Sequence, residues 1–429
     1  MIEFAANVKG DAESVRVRLR FEGSVLHLRG DAPTRQPLTS RNQANNTSAE
    51  SLMDGGMESL VVSGASESVL CWNGEIFAGI AVPEHENDGQ VLFRLLCACQ
   101  TDSQVMELLG RIEGEWAVVF YHGELQKVWF GRDFCGRRSL TWLFEDSRVV
   151  VSSVAYSDTK SQDLLDIAEA GEEEGVEGDD PEENGCLFKE VAAKGLHTLD
   201  IRQLLALQEV ASVKSALDWH PWGVSPSLPL PFRKMNSTIP TEADLKSDAN
   251  NLAERADELL QLMTEAVRVR VTGVPDYHCN AGDSRLGILF SGGIDSMVMA
   301  ALADRCLPLD EPLDLINVAF AVISPLEDER PSNPKQMKGK NRTTAGRSPF
   351  DVPDRITGLA GLEELRALSP NRLWRFVEVN VPADELDEIQ TRVRKLMFPS
   401  QTVLDLSIAT ALWCASRGVG KGFFFLSKM

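Results

Sequence analysis

The stretch Leu286-Gly-Ile-Leu-Phe-Ser-Gly-Gly-Ile-Asp-Ser296 decides the fold of the second half of this chain. Its apolar beginning, 286–290, has the length and composition of a buried parallel strand. A serine-glycine-glycine turn follows, and residues 297–305 are compatible with a helix. Together they predict a phosphate site, because glycines let backbone N–H groups surround an anion and the helix N-terminus adds positive potential.

The polar side chains of this turn predict how the phosphate is held. No Gly-Lys-Ser or Gly-Lys-Thr follows the glycines, so the turn is not of the Walker type. An aspartate suits pyrophosphate held through Mg²⁺, with Asp295 as the metal ligand. The predicted pyrophosphate contacts are Ser291, Gly292, Gly293 and Ser296. The alternative is a glycine-rich turn between strand and helix that binds no ligand.

The motif at 291–296 resembles the pyrophosphate loop of the N-type ATP pyrophosphatases, such as asparagine synthetase, argininosuccinate synthetase and GMP synthetase. The resemblance implies an α/β parallel-sheet domain of the adenine nucleotide alpha hydrolase-like type. It also implies ATP and Mg²⁺ as cofactors, and activation of a carboxylate or carbonyl as an adenylate with release of pyrophosphate.

A second apolar run, 313–322, predicts the next parallel strand, so 286–322 is a right-handed βαβ unit. Adenine usually lies across the carboxyl ends of such strands. The candidate adenine-side residues are therefore Leu289, Val318, Ala319 and Phe320.

Composition narrows the class of protein. A length of 429 residues leaves room for two or three domains, and the net charge of -21 disfavours nucleic acid as a partner. The eight cysteines contain no Cys-x-x-Cys pair, which disfavours a zinc ribbon or a disulfide framework. No apolar run of about 20 residues and no secretory pattern is present, so we expect no membrane span and a cytoplasmic location.

The first half of the chain shows the alternation of antiparallel strands. In residues 13–22, apolar residues alternate strictly with charged ones, which predicts a half-buried strand. Residues 68–77 predict a strand that runs into an Asn73-Gly74 turn, and Asp88 lies at the start of a predicted helix, 90–99. The other predicted strands are 24–30, two in a hairpin at 116–130, 139–144, 149–154, 187–192 and 197–201. Such an order predicts an α+β sandwich.

This order resembles the class II glutamine amidotransferase domain, an N-terminal-nucleophile fold. The likeness rests on Arg29, Gln36-Pro37, Asn73-Gly74-Glu75, Asp88 and the block 131–138. It implies that the Asn73 amide and the Gly74 N–H form an oxyanion hole. It further implies that Arg29 binds the glutamine carboxylate and that Glu75 and Asp88 hold the glutamine ammonium. Taken alone, Asn73-Gly74 also fits a plain hairpin turn.

A glutaminase-like domain followed by a pyrophosphatase-like domain resembles the asparagine synthetase family. The segments 72–77, 131–134, 350–358 and 415–418 come closest to the branch of asparagine synthetase domain-containing proteins of animals. The implied function is an ATP-dependent, glutamine-hydrolysing amide ligase of asparagine biosynthesis, with glutamine and aspartate as substrates. The alternative is a catalytically inactive family member that acts as a binding or regulatory protein.

Two departures from the family pattern lead us to expect a chain truncated at both ends. The family nucleophile is a cysteine directly after the initiator methionine, whereas Ile2 stands here and the first cysteine is Cys71. We therefore expect no glutaminase activity. The family also carries a second acidic loop with another Mg²⁺-binding aspartate and a catalytic glutamate, whereas residues 418–429 contain no acidic residue.

Composition shifts predict the domain boundaries. The amidotransferase-like domain covers 1–205 with an acidic insertion at 169–185, a proline-rich linker covers 206–245, and the ATP pyrophosphatase domain covers 246–429 with a basic insertion at 328–349. We expect both insertions to be disordered, because like charges repel and little apolar surface is available to bury. A functional acidic tail and a basic patch that recruits a protein partner are the alternatives.

Overall fold

The computed structural model describes residues 2–7, 16–23, 34, 36–40, 58–62, 67–145, 148–155, 188–206, 213–232, 237–239, 241–242, 251–275, 282–322 and 348–423. These residues form a mixture of helices and β-sheets that divides into two compact units. Unit 1 contains residues 1–239 and 396–401, and unit 2 contains residues 240–395 and 402–429.

The described strands of unit 1 form two antiparallel sheets of six strands each. The strands are β1 Ile2–Asn7, β2 Arg16–Gly23, β3 Leu38–Thr39, β4 Glu58–Val62, β5 Val69–Ala78, β6 Glu113–His122, β7 Lys127–Arg132, β8 Thr141–Glu145, β9 Arg148–Ser152, β10 Lys189–Glu190, β11 Gly195–Asp200 and β12 Leu217–Pro221. The first sheet has the order β10-β8-β9-β1-β2-β4, and the second has the order β12-β11-β7-β6-β5-β3.

The core of unit 1 lies on both faces of the second sheet. Leu19 and Val149 from the first sheet share one hydrophobic cluster with Val119 and Phe130 from the second, so the two sheets pack face to face. The predicted alternation in β2 is confirmed, since Leu19 and Phe21 are buried while Arg20 is exposed. The helices α1 Asp88–Cys97 and α2 Asp102–Gly110 pack on the other face of the second sheet. A short helix, α3 Ile201–Ala206, and a 3₁₀ turn at Val213–Ala216 follow β11.

Two predictions for unit 1 are wrong. The Asn73-Gly74 pair does not form a turn, because β5 continues through both residues and pairs them with Ala117 and Trp116 of β6. The turn preference of Asn-Gly is overridden by strand pairing over the whole stretch. β12 lies inside the predicted linker and pairs with β11, so this part of the proline-rich segment does form a strand.

Unit 2 is built on a four-stranded sheet. Its elements are α4 Leu252–Val271, β13 Gly287–Leu289, α5 Ile294–Cys306, β14 Leu313–Phe320, α6 Pro353–Leu368, β15 Trp374–Val381, α7 Ala383–Met397, α8 Val403–Ser416 and β16 Lys421–Phe423. The sheet order is β13-β14-β15-β16; the first three strands are parallel, and β16 is antiparallel to β15. The predicted βαβ unit is confirmed, since β13 and β14 are parallel neighbours joined by α5.

The core of unit 2 lies on the face of the sheet where α4, α5 and α6 contribute to one hydrophobic cluster. One burial prediction is wrong. β13 is an edge strand in the described sheet, and its Leu289 is 47% exposed instead of buried. α8 is mostly apolar, yet Leu404 is 72% and Ile408 54% exposed, and a stripe that includes Leu406 packs inward.

Several predictions fall on residues that the structure does not describe. They are the strand at 24–30, the acidic insertion at 169–185, residues 328–347 of the basic insertion, and the tail beyond 423. Among the described helices, none has both the length and the apolar character needed to cross a membrane.

Candidate functional site

The predicted phosphate loop lies where β13 ends and α5 begins, at the carboxyl edge of the parallel strands of unit 2. Phe290 still bonds to the sheet, with its N–H donating to the Ile316 carbonyl at 2.8 Å. Gly293 is the N-cap residue of α5 and supplies no side-chain cap. The first-turn N–H groups of α5 therefore receive no cap hydrogen bond from that position, which leaves a positive helix end beside the loop.

Gly292 gives the loop its shape. Its φ is +79°, in the left-handed region that favours glycine. A Cβ atom at this position would lie 2.2 Å from the Thr357 carbonyl oxygen and 2.5 Å from the Gly358 nitrogen. The loop therefore rests directly on the first turns of α6, and any residue other than glycine would collide with that helix.

Hydroxyl groups hold the loop from two sides. Thr357 Oγ1 donates to the Ser291 carbonyl at 2.7 Å, and Ser296 Oγ donates to the Gly293 carbonyl at 2.9 Å. Ser291 Oγ accepts from the Gly293 N–H at 3.3 Å. Of the predicted pyrophosphate contacts, Ser291 and Gly293 are exposed, while Ser296 and Gly292 are half-buried. The structure therefore brings all four together around one turn.

Asp295, the predicted Mg²⁺ ligand, lies in the first turn of α5 and is exposed. Across the described residues, no group of three or more histidine, cysteine or acidic side chains is placed to hold a metal ion. Mg²⁺ commonly uses one or two carboxylates together with substrate phosphates and water. An exposed carboxylate beside a glycine turn and two hydroxyls fits an ion that arrives with a nucleotide, and does not fit an all-protein metal cage.

The candidate adenine-side residues divide between the two faces of the sheet. Leu289 is in register with Ile316, and side chains alternate along a strand, so Leu289, Val318 and Phe320 lie on one face. Ala319 lies on the opposite face and is 1% exposed. Ala319 therefore does not line the same surface as Leu289 and Val318.

A buried polar network lies beneath the loop, and sequence analysis did not identify it. Asn317 on β14 and Arg355 on α6 are 1% and 3% exposed. Arg355 Nε donates to Asn317 Oδ1 at 2.6 Å, and its Nη2 donates to Asn380 Oδ1 at 2.8 Å. Its Nη1 pairs with Glu378 at 2.7 Å. Burial lowers the pKa of the Arg355 guanidinium, and Glu378 opposes that shift.

The second candidate site lies in unit 1, in the middle of β5. Gly74 pairs with Trp116 on β6, and a Cβ atom on Gly74 would lie 2.5 Å from the Glu115 carbonyl oxygen. Asn73 and Glu75 are half-buried and lie on the face of β5 opposite to Gly74. Gln36, which carried part of the resemblance, accepts from the Trp72 N–H at 3.2 Å beside this pair.

Asp88, the first residue of α1, bonds to the backbone of β5 just after Glu75. Its side chain is buried, and Oδ2 accepts from the Ile76 N–H at 2.9 Å while Oδ1 accepts from the Gly89 N–H at 2.7 Å. The strand register shifts between Ile76 and Ala78, so this bond supports a β-bulge just after Glu75. The Asp88 carboxylate therefore bonds to the backbone of the residue that follows Glu75, and a shared site for the two carboxylates stays a prediction.

Residues 131–138 bond to β6, the strand that pairs with β5. Asp133 is 3% exposed, and its Oδ2 accepts from the N–H groups of Trp116 at 3.1 Å and Arg137 at 3.0 Å. Arg132 donates to the carbonyl of Arg138 at 2.6 Å and pairs with Glu190. These residues hold β6 in place opposite Gly74, so their structural role is to support the β5 site.

Arg29 lies outside the described residues. Cys71 lies two residues before Asn73 and packs against the cluster between the sheets. Burial raises the pKa of the Cys71 thiol to about 11, so it is a neutral thiol at pH 7.

A groove of about 340 Å³ lies between α7 and α8, away from every residue of the predicted sites. It is lined by Glu385, Glu388, Ile389, Arg392, Trp413 and Arg417. Within the groove, Arg392 lies 5.7 Å from the Trp413 ring centre and Arg417 lies 3.7 Å from Glu385.

No protein-family model matches the chain. Among solved structures, the chain is similar to glutamine phosphoribosylpyrophosphate amidotransferase from B. subtilis complexed with ADP and GMP. That match has 12% identity and a TM-score of 0.24, and it covers 47% of this chain and 43% of the other. A likeness at that score supports no argument.

Comparison with curated relatives is more informative. The chain is 32% identical over 484 residues to asparagine synthetase domain-containing protein 1 of Homo sapiens, covering 95% of this chain and 67% of the relative. It is 32% identical over 486 residues to the protein of that name from Gallus gallus, covering 93% of this chain and 67% of the relative. The chain belongs to the family of asparagine synthetase domain-containing protein 1.

Proposed function

We propose that unit 2 binds ATP with Mg²⁺ at residues 291–296 and activates the side-chain carboxylate of aspartate as an adenylate. The chain would then be an ATP-dependent amide ligase of the asparagine synthetase type. In fold terms, the βαβ unit around the loop is proposed to be of the adenine nucleotide alpha hydrolase-like type. The face-to-face sheets of unit 1 are proposed to be an N-terminal-nucleophile-type sandwich.

One observation carries the nucleotide proposal. The loop between β13 and α5 has Gly292 at φ +79°, an α5 N-terminus without a side-chain cap, and an exposed Asp295 in the first turn. Backbone donors and a helix end attract phosphate, and the carboxylate attracts the accompanying Mg²⁺. The sequence relatives carry asparagine synthetase in their names, which supports the same chemistry.

The proposed roles follow from the position of each side chain. Ser291, Gly292, Gly293 and Ser296 would bind the pyrophosphate part of ATP, and Asp295 would bind Mg²⁺. Leu289 and Val318, on one face of the sheet, would contact adenine. An adenylate turns a carboxylate into a mixed anhydride with a good leaving group, so that ammonia can displace AMP and form the amide.

For unit 1 we propose a glutamine-binding role. Asn73 and Gly74 would form the oxyanion hole, and Glu75 and Asp88 would hold the glutamine ammonium. The hydrogen bond from the Ile76 N–H to Asp88 Oδ2, at 2.9 Å, supports this assignment because it ties the Asp88 carboxylate to the backbone next to Glu75. Arg29 remains the proposed ligand of the glutamine carboxylate.

Titration calorimetry with Mg-ATP tests the nucleotide proposal. We expect Asp295→Ala to weaken binding roughly tenfold or more, because one Mg²⁺ ligand is lost. Asp310→Ala is the matched control, since Asp310 is also an exposed acid of unit 2 but lies at the other end of α5. Equal affinities for the two variants, or no binding by the unmodified chain, would refute the proposal.

A catalytically inactive binding or regulatory protein is the second candidate. The observation that favours it is Cys71, the first cysteine of the chain, whose thiol pKa is raised to about 11 by burial and which therefore offers no thiolate. Aspartate-dependent exchange between ATP and pyrophosphate separates the candidates. Exchange that disappears in Asp295→Ala supports the ligase, whereas Mg-ATP binding without exchange supports the second candidate.

A further inference from the structure

The direction of the phosphate-loop donors is set by two carbonyl groups that face the protein interior. The Phe290 carbonyl accepts from Asn317 Nδ2 at 2.7 Å, and the Ser291 carbonyl accepts from Thr357 Oγ1 at 2.7 Å. In a trans peptide the C=O and the next N–H point in opposite directions. The N–H groups of Ser291 and Gly292 must therefore point away from Asn317 and α6, towards the side where a phosphate would bind.

Asn317 uses its whole amide for this purpose. Its Nδ2 also donates to the Asp354 carbonyl at 2.9 Å, and its Oδ1 accepts from Arg355 Nε at 2.6 Å. A primary amide has two donor hydrogens, and both are used on carbonyls of the loop and of α6. A rotated amide would present its oxygen to two carbonyl oxygens and its NH2 group to the Arg355 guanidinium, so the two carbonyls and Arg355 together fix the orientation of Asn317.

Arg355 is itself fixed by partners on two strands. Besides Asn317 on β14, its guanidinium contacts Asn380 at 2.8 Å and Glu378 at 2.7 Å, both on β15. Nε, Nη1 and Nη2 each have an acceptor, so the planar fork has one orientation that satisfies all three. A lysine cannot reproduce this, because its ammonium is a point charge on a flexible chain.

We propose that Arg355 and Asn317 are positioning residues that aim the backbone donors of the phosphate loop. Arg355 orients the Asn317 amide, the amide fixes the Phe290 carbonyl, and that carbonyl directs the Ser291 N–H. Thr357 does the same for the Gly292 N–H through the Ser291 carbonyl. The inference deepens the proposed function and rests on it for the identity of the ligand.

The chain offers a matched control at the other edge of the same sheet. Arg372 is 4% exposed and precedes β15. It donates to Asp304 Oδ1 at 2.6 Å and to the carbonyls of Leu307 at 2.9 Å and Glu311 at 2.7 Å. Arg355 therefore links α6 to the sheet at its carboxyl edge, and Arg372 links the start of β15 to the end of α5 at its amino edge.

The first measurement needs no nucleotide. Hydrogen exchange of the Phe290 and Gly293 amides, whose N–H groups donate to the Ile316 carbonyl at 2.8 Å and to Ser291 Oγ at 3.3 Å, should be at least about fivefold faster in Arg355→Lys than in the unmodified chain, and unchanged in Arg372→Lys. Asn317→Asp keeps the acceptor for Arg355 but removes both donors, so it should accelerate the same amides. Thr357→Val retains the shape of the side chain and loses only the hydroxyl. It therefore tests the loss of a hydrogen bond in a variant that is not expected to misfold.

The second measurement is the dissociation constant of Mg-ATP for the same variants. We expect Arg355→Lys and Asn317→Asp to weaken binding about tenfold or more, and Thr357→Val to weaken it a few-fold. Arg372→Lys should weaken binding less than twofold, although it lowers the melting temperature about as much as Arg355→Lys does. If the unmodified chain does not bind Mg-ATP but the exchange difference is present, the proposed function fails and the positioning role stands. Equal effects of the two arginine substitutions on exchange would overturn the positioning role.

Discussion

The two candidate sites both depend on a glycine that no other residue can replace, but they are supported in different ways. Gly74 lies inside β5 and is fixed by pairing with Trp116 on β6. Gly292 lies in a loop at the end of β13, an edge strand of the described sheet. It is fixed by Thr357, which holds the Ser291 carbonyl, and by the Asn317 amide, which holds the Phe290 carbonyl. The first site is part of a sheet, whereas the second can loosen while its sheet remains intact.

The largest effect is expected from Gly74→Ala. The new methyl group would lie 2.5 Å from the Glu115 carbonyl oxygen and 2.6 Å from Trp116 Cβ. Relief requires β5 and β6 to separate, so we expect a loss of about 3 kcal/mol or more in the free energy of unfolding of unit 1. Tryptophan fluorescence during denaturation measures it, since Trp72 and Trp116 stack at 6.3 Å. An unfolding midpoint no lower than that of Gly110→Ala, where the nearest contact is a leucine methyl at 3.2 Å, would contradict the prediction.

The stability of the two units should respond differently to acid. His197 is 7% exposed beside Phe130 and Trp142, and burial, with a smaller effect from His220, lowers the pKa of its imidazole to about 4. An unfolded histidine binds its proton near pH 6.5. The unfolded state therefore binds more protons between these values, so unit 1 loses stability as the pH falls from about 6.5 to about 4.

The loss of unfolding free energy is about 3 kcal/mol at most, because a pKa shift of one unit corresponds to about 1.4 kcal/mol. His197→Phe keeps an aromatic ring in the stack and removes the titrating group, so its stability should depend less on pH in this window. Denaturant titrations at pH 7, 5.5 and 4.5 measure the difference, with the exposed His85→Phe as control. The described residues of unit 2 contain no histidine, so its unfolding should not show this step.

A smaller effect on stability is expected from Gly292→Ala. A Cβ atom there meets the Thr357 carbonyl at 2.2 Å and the backbone has φ +79°. The loop can move away from α6, so we expect a loss of about 2 kcal/mol in the unfolding of unit 2 together with loss of Mg-ATP binding. Gly273→Ala is the control, because nothing lies within 4 Å of its Cβ position. Retained Mg-ATP affinity would show that the shape of the turn is not what binds phosphate.

The elements that sequence analysis predicted well are those whose signal is local. The alternation around Leu19 and Phe21 predicted β2, and the strand–glycine–helix order predicted β13, α5 and β14. The hydrophobic period of a strand or helix and the residues of a turn are set by neighbouring positions in the sequence. They can therefore be recognised without knowledge of distant contacts. That Glu75 and Asp88 belong to one site is a prediction from the family resemblance and not from local pattern.

What the sequence did not predict depends on distant partners. Asn73-Gly74 favours a turn until β6 pairs with it, and the apolar composition of α8 does not say how many of its sides are covered. The Asn317–Arg355 pair was missed because its residues are 38 apart along the chain. A lone asparagine in an apolar strand and an arginine near a helix start carry no signal that they meet in the interior.

The position of β13 has a mechanical consequence. In the described sheet this strand has a single hydrogen-bonded neighbour, β14, over only three residues. A sideways shift of β13 breaks one short ladder and leaves β14, β15 and β16 undisturbed. The loop at 291–296 therefore extends from a strand with one short ladder, and its fixed shape depends on the contacts of Thr357 on α6 and Asn317 on β14.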